Sequence, residues 1–171
     1  MELFDRALAL VGHGRVAARA YTNLGVAWAA LGDLGRAIEV SVEGAARAAQ
    51  DGDLQGAAFL RGNVLGLRFD AGDWEEALQE ASSLIGSPGF NRQEYLALTV
   101  RATILESRGD LAAAGGDFEL ALESARESAE AAAVLPAAVG LAGFLRRRGR
   151  SNEAAAALEE VVAALDAAES V

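Results

Sequence analysis

A single histidine and a few pairs of neighbouring acids are the residues whose types could do chemistry in this 171-residue chain. His13 stands between Gly12 and Gly14 in an expected loop, and the chain has no cysteine. One imidazole without thiolates or a paired acidic motif is a poor ligand set for a metal. It is equally poor as the base of a Ser/His/Asp relay, whose histidine is held between two partners. No Gly-x-Ser-x-Gly elbow occurs, and Gly12-His13-Gly14 lacks the Gly-Lys-Ser/Thr end of a phosphate loop. The acidic pairs Glu75-Glu76 and Glu159-Glu160 point to different sides of a helix. Two catalytic carboxylates must instead converge on one substrate, so these pairs read as solvated faces. No catalytic, cofactor-binding or metal-ligating residue is assigned, and the chain is read as non-catalytic.

Arg146-Arg147-Arg148-Gly149-Arg150 is the one strong charge run. Cations at a helix C-terminus oppose its negative end, worth roughly 0.3–1 kcal/mol each, and this is the favoured reading. The other is a contact with an acidic partner. Net charge is −10, from 15 basic and 25 acidic residues. That balance argues against a binder of nucleic-acid backbone, which needs a basic face. The absence of thiols fits a reducing cytoplasm. No apolar run is long enough for a membrane span, and Glu2, Asp5 and Arg6 interrupt the place of a secretory leader. All 15 basic residues are arginine. With the abundant Ala and Gly, this reads as the codon bias of a GC-rich genome.

The elements that would position these residues repeat. Gly32-Asp33 recurs as Gly72-Asp73 and Gly109-Asp110, and more weakly as Gly149-Arg150, at spacings of 40, 37 and 40. Five residues past each glycine stands an alanine: Ala37, Ala77, Ala114 and Ala154. Asn23 and Asn63 are also 40 apart. Each unit reads as two antiparallel helices. The glycine ends the first helix in the left-handed conformation it adopts at little steric cost, and the aspartate caps the second. Asp73 with Glu76 has the spacing of a capping box, and Ser151 can cap the last helix. Asp51-Gly52-Asp53 and Gly86-Ser87-Pro88-Gly89 separate units. The expected helices are 2–11, 15–31, 34–50, 54–71, 74–86, 92–108, 111–129, 134–148 and 151–168. Pro136 is expected in the first turn of its helix. Gly115-Gly116 falls inside one, implying a bend or, preferably, close backbone packing.

Tyr21, Leu24, Gly25, Trp28 and Ala37 follow the large, Leu, small, aromatic and small pattern of the tetratricopeptide repeat, and the chain resembles that family. Ser41 and Gly44 follow, so the aromatic usual before the last small residue is missing. The second unit keeps Val64, Trp74 and Ala77; the third keeps Ala102, Ala114, Phe118 and Ala121; the fourth keeps Leu141, Ala142, Leu145, Ala154 and Leu158. The resemblance implies an all-α, right-handed α-α superhelix of about four hairpins plus a leading helix. The whole chain, 1–171, is expected to be one such domain, with repeats at 15–50, 54–86, 92–129 and 134–168. Trp28 is expected to be buried between helices. A period near 40 exceeds the roughly 34 of the standard repeat. It resembles the lengthened repeats of large bacterial regulators, namely transcription activators with an ATPase module and some nucleotide cyclases. Phe4-Asp-Arg-Ala7-Leu8 matches Phe118-Glu-Leu-Ala121-Leu122, so 2–11 reads as the second half of a repeat. The chain is therefore expected to be a segment of a longer protein, with an open N-terminal end for self-association.

In that family peptides bind along the first helices of the repeats. Carried over by resemblance, the groove comprises Arg19, Thr22, Val26, Phe59, Phe69, Thr99, Thr103, Glu106 and Arg146. Phe59 and Phe69 read either as a docking patch or as helix packing. The family's Lys/Asn clamp for a C-terminal carboxylate is not supported, since lysine is absent. The implied function is a cytoplasmic, bacterial scaffold for protein or peptide partners, within a larger regulator. The alternative is a sensor holding a small molecule inside the superhelix.

Overall fold

A computed structural model describes residues 15–87, 90, 93–128 and 131–169. The expected helix over 2–11 and His13 lie outside them. The described residues form eight helices and no strand: α1 Arg15–Ala30, α2 Leu34–Gln50, α3 Leu54–Ala71, α4 Trp74–Leu84, α5 Glu94–Ser107, α6 Leu111–Glu127, α7 Ala131–Arg147 and α8 Ser151–Glu169. The chain divides into two compact units, Met1–Phe90 and Asn91–Val171. Each described unit holds two helical hairpins.

The stop-and-restart signal works as its chemistry requires. Gly32 has φ +81° and Gly109 φ +85°. The following N–H reaches back around each turn: Asp33 donates to Trp28 O at 3.0 Å, and Asp110 to Leu105 O at 3.0 Å. Asp33, Asp53 and Asp110 then accept from the N–H groups of Arg36, Gly56 and Ala113.

Five expectations need correction. Asp73 makes no side-chain cap bond, and its ψ is 58° against 75° at the other three aspartates. Helix α7 starts at Ala131 rather than 134, because Ala131–Ala133 are strong helix formers. Pro136 therefore lies inside the helix, not in its first turn. Ser151 is the first helical residue of α8 instead of preceding it. Helix α4 ends at Leu84, where Ile85 turns extended at ψ 124° ahead of the left-handed Gly86.

One core cluster of the first unit comprises Ala18, Tyr21, Leu24, Val40, Ala45, Ala48, Ala57 and Leu60. Tyr21 lies directly over Gly44, where a Cβ would come within 2.5 Å of the Tyr21 Cβ. A small residue there is obligatory. Tyr21 Oη donates to Glu43 at 2.9 Å, while burial, then the Glu43 carboxylate, push its pKa up. Trp28 packs against this cluster only partly buried. Ser41 is fully buried, its hydroxyl without a hydrogen-bond partner among the described residues.

The second unit has the larger cluster, centred on Phe118, Leu122, Leu141, Phe144 and Leu145. The Phe118 and Phe144 rings meet at 5.4 Å, tilted by 36°. Gly115 packs against Phe144, which a Cβ would meet at 3.2 Å, whereas a Cβ on Gly116 would meet nothing within 4 Å. A neighbouring side chain, not the expected backbone, thus crowds one glycine of the pair, and nothing crowds the other.

Candidate functional site

Arg15, Arg19 and Asn23 occur every fourth residue of α1, so they share one stripe. The start of α3 faces them. Asp53 caps that helix, accepting the Gly56 N–H at 2.9 Å, and Gln55 and Phe59 follow. Between the two helices lies a cavity of about 450 Å³, lined by Arg15, Ala18, Arg19, Thr22, Asn23, Asp53, Gln55, Gly56 and Phe59. Gly56 makes its floor possible. A Cβ there would sit 2.9 Å from the Ala18 Cβ and collide with the Asp53 carboxylate, so α1 and α3 come close only because that position is bare. Thr22 Oγ1 donates to Ala18 O at 2.9 Å, which leaves its methyl as the free part of the side chain.

The cavity therefore gathers Arg19, Thr22 and Phe59 from the residues expected in the groove. Val26, one turn further along α1, is 61 % exposed and outside the lining. Phe59 is 43 % exposed. Phe69, ten residues on, is half-buried and stacks on Trp74, with centroids 6.1 Å apart and planes at 10°. The two phenylalanines thus have different surroundings. Arg15 and Gln55 escaped the sequence reading. The regular spacing of Arg15, Arg19 and Asn23 was available as a signal; Gln55 depends on the approach of α3 and left none. A second cavity of the first unit, about 320 Å³, lies among Val42, Ala46, Ala49, Arg61, Val64, Arg68 and Glu80. Its Arg61 is held by Glu80 at 2.8 Å and Ser83 at 2.7 Å.

In the second unit Thr99 Oγ1 donates to Tyr95 O at 2.7 Å, and Thr103 Oγ1 to Thr99 O at 2.8 Å. Glu106 accepts two bonds from Arg147, at 2.8 and 2.6 Å, with Arg148 at 3.5 Å. Hydrogen bonding from Arg147 holds the Glu106 carboxyl below the usual range, against the opposing pull of burial. Arg148 also lies 5.7 Å over the Phe144 ring, and Arg150 pairs with Glu153. Arg146 is exposed. So the arginine run ties α7 to α5 through Glu106. Neither sequence reading contained this tie, because its partners are 41 residues apart. Among the described residues no group of three or more His, Cys, Asp or Glu converges as a metal site, and no helix is long and apolar enough to cross a membrane.

The hairpins, their glycine stops and their small-residue contacts define a TPR-like helical-repeat fold, and solved structures agree. BtubC (BKLC) from P. vanneervenii is similar over 96 % of this chain and 72 % of its own, at TM-score 0.72 and 16 % identity. The apo form of RapI matches 97 % of this chain at TM-score 0.74 and 11 % identity, this chain spanning 62 % of RapI. The nearly identical TPR-like repeats of a Podosopora anserina protein assigned as a kinesin light chain match 99 % of this chain and 87 % of theirs, at TM-score 0.66 and 16 % identity. Identities this low show the fold alone. No protein-family model and no curated protein matches the chain.

Proposed function

We propose that the chain is a non-catalytic scaffold that binds a peptide or a partner protein segment along its first helices, and that it serves inside a larger bacterial regulator in the cytoplasm. The observation that carries the binding reading is the first unit's cavity, which brings Arg19, Thr22 and Phe59 together from two helices. Four polar side chains around it, Arg15, Arg19, Asn23 and Gln55, have no hydrogen-bond or ionic partner among the described residues. Stacked hairpins offer extended surfaces of this kind. The regulator context is supported by the 37–40-residue period, through its resemblance to lengthened regulator repeats.

Display of random peptides against the purified chain tests the binding reading. Enrichment of related sequences is expected, and Phe59→Ala should abolish it. Failure to enrich, or enrichment indifferent to Phe59, would sink it. The small-molecule alternative draws on the cavity's volume, which falls in the roughly 300–1,000 Å³ range of ligand sites. A small molecule co-purifying with the chain in native mass spectrometry, lost in Phe59→Ala, would move the conclusion there.

A further inference from the structure

Six of the described arginines pair with acids. Arg36 meets Glu39, Arg61 meets Glu80, Arg101 meets Asp117, Arg147 and Arg148 meet Glu106, and Arg150 meets Glu153. Arg15 and Arg19 do not, although acids outnumber bases by ten. Both border the first unit's cavity, and neither has an ionic or hydrogen-bonding partner among the described residues. The amides of Asn23 and Gln55 are equally unengaged. The Thr22 hydroxyl donates within α1, and one oxygen of Asp53, Oδ1, caps α3. The cavity thus offers two guanidinium groups, two amides and an exposed aromatic ring, against a single carboxylate, that of Asp53.

We infer that this cavity recognises an acidic peptide: an Asp or Glu side chain held by Arg15 and Arg19, with a neighbouring apolar residue laid on Phe59. The inference rests on the peptide-binding reading above and names its chemistry. Guanidinium groups grip carboxylates through paired, charge-assisted bonds. The amides of Asn23 and Gln55 can each give and take a hydrogen bond, as the backbone of an extended peptide demands. The openness of the site favours a peptide over a free small acid. Arg19, Asn23, Gln55 and Phe59 all stay exposed, whereas small-ligand pockets bury about 70–90 % of what they hold. From Arg15 to the exposed Val26 the helix rises about 16 Å, the length of about five residues of extended chain.

Fluorescence anisotropy on the full chain tests this with labelled seven-residue peptides, each bearing one central Glu, Gln or Lys beside a Leu. Wild type should bind the Glu peptide about tenfold more tightly than the Gln peptide, and added salt should erode that preference. The double variant Arg15→Glu/Arg19→Glu should bind the Lys peptide better than the Glu peptide. Circular dichroism checks its fold, and the milder Arg19→Gln should lower the Glu preference without inverting it. Equal binding of Glu and Gln peptides overturns this inference and leaves the peptide-binding reading standing. No binding of any peptide overturns both. Free succinate or phosphate competing as well as the Glu peptide would assign the site to small anions, and binding confined to a phosphoserine peptide would assign it to phosphate; either result overturns the inference.

Discussion

In the second unit the polar side chains close on one another, while in the first a group of them faces open space. Arg101 and Asp117 form two bonds of 2.6 and 2.7 Å, with Asp117 buried. Glu106 binds Arg147 and Arg148, and Thr99 and Thr103 bond back to their own helix. In the first unit Arg15, Arg19, Asn23 and Gln55 surround a cavity without such closure. The aromatics divide the same way. Phe118 and Phe144 are buried together, whereas Phe59 is 43 % exposed. One hairpin plan can therefore invest its side chains in its own stability or leave them for a ligand, and residue type alone does not say which.

The largest effect should separate the two regions most sharply. Phe118→Ala removes a ring that is 2 % exposed and should destabilise by about 3–5 kcal/mol. Phe59→Ala should change stability by less than about 1 kcal/mol, since its ring already faces water, and should abolish peptide enrichment. Denaturant titration of both variants checks this, and similar losses from the two would dissolve the contrast. Next comes Asp117→Ala, which strands Arg101. Breaking a fully buried pair costs about 3–5 kcal/mol. Arg101 keeps 26 % of its side-chain surface exposed, so about 2 kcal/mol is expected. Asp53→Ala should cost only a helix cap, about 1 kcal/mol. Asp53→Ala costing more than Asp117→Ala would reverse the ranking of the two units.

Much of this fold could be read from local chemistry. The Gly-Asp punctuation gave α2, α3 and α6 their first residues because cap and left-handed turn are set within a few residues of each other. Helix ends lacking that signal drifted: alanines carried α7 past its expected start, and Asp73 took the cap position without its bond. The site was less legible because it depends on what crosses between helices. The spacing of Arg15, Arg19 and Asn23 was visible, but their lack of partners was not. Conversely Glu106, expected on an open groove, is held by arginines 41 and 42 residues away. The aromatic missing on α2 falls at Ser41, which instead lies against Gly25 of the facing helix.

The glycine pair of α6 gives a smaller and more local test of how tightly the second unit is closed. Gly116→Ala should stabilise by about 1 kcal/mol, because alanine is the better helix former and nothing lies within 4 Å of the new Cβ. Gly115→Ala should lose that gain or reverse it, since Phe144 would stand at 3.2 Å. Equal gains in thermal unfolding would mean that the Phe144 ring moves aside freely.

The smallest effect concerns pH. The folded carboxyl of Glu106 titrates below its unfolded value of about 4.3, held down chiefly by Arg147. A depressed carboxyl stabilises fully above the unfolded value, and that contribution fades as pH falls through the folded one. Arg147 is half exposed at 51 %, so less than about 1 kcal/mol is at stake. Glu106→Gln should lower the denaturation midpoint at pH 7, and by less at pH 3. No pair of this kind closes the first unit's cavity, so Arg19→Gln should leave the midpoint unchanged at both values. A gap between wild type and Glu106→Gln that is as wide at pH 3 as at pH 7 would count against a charge-based role for the glutamate in the tie from α5 to α7.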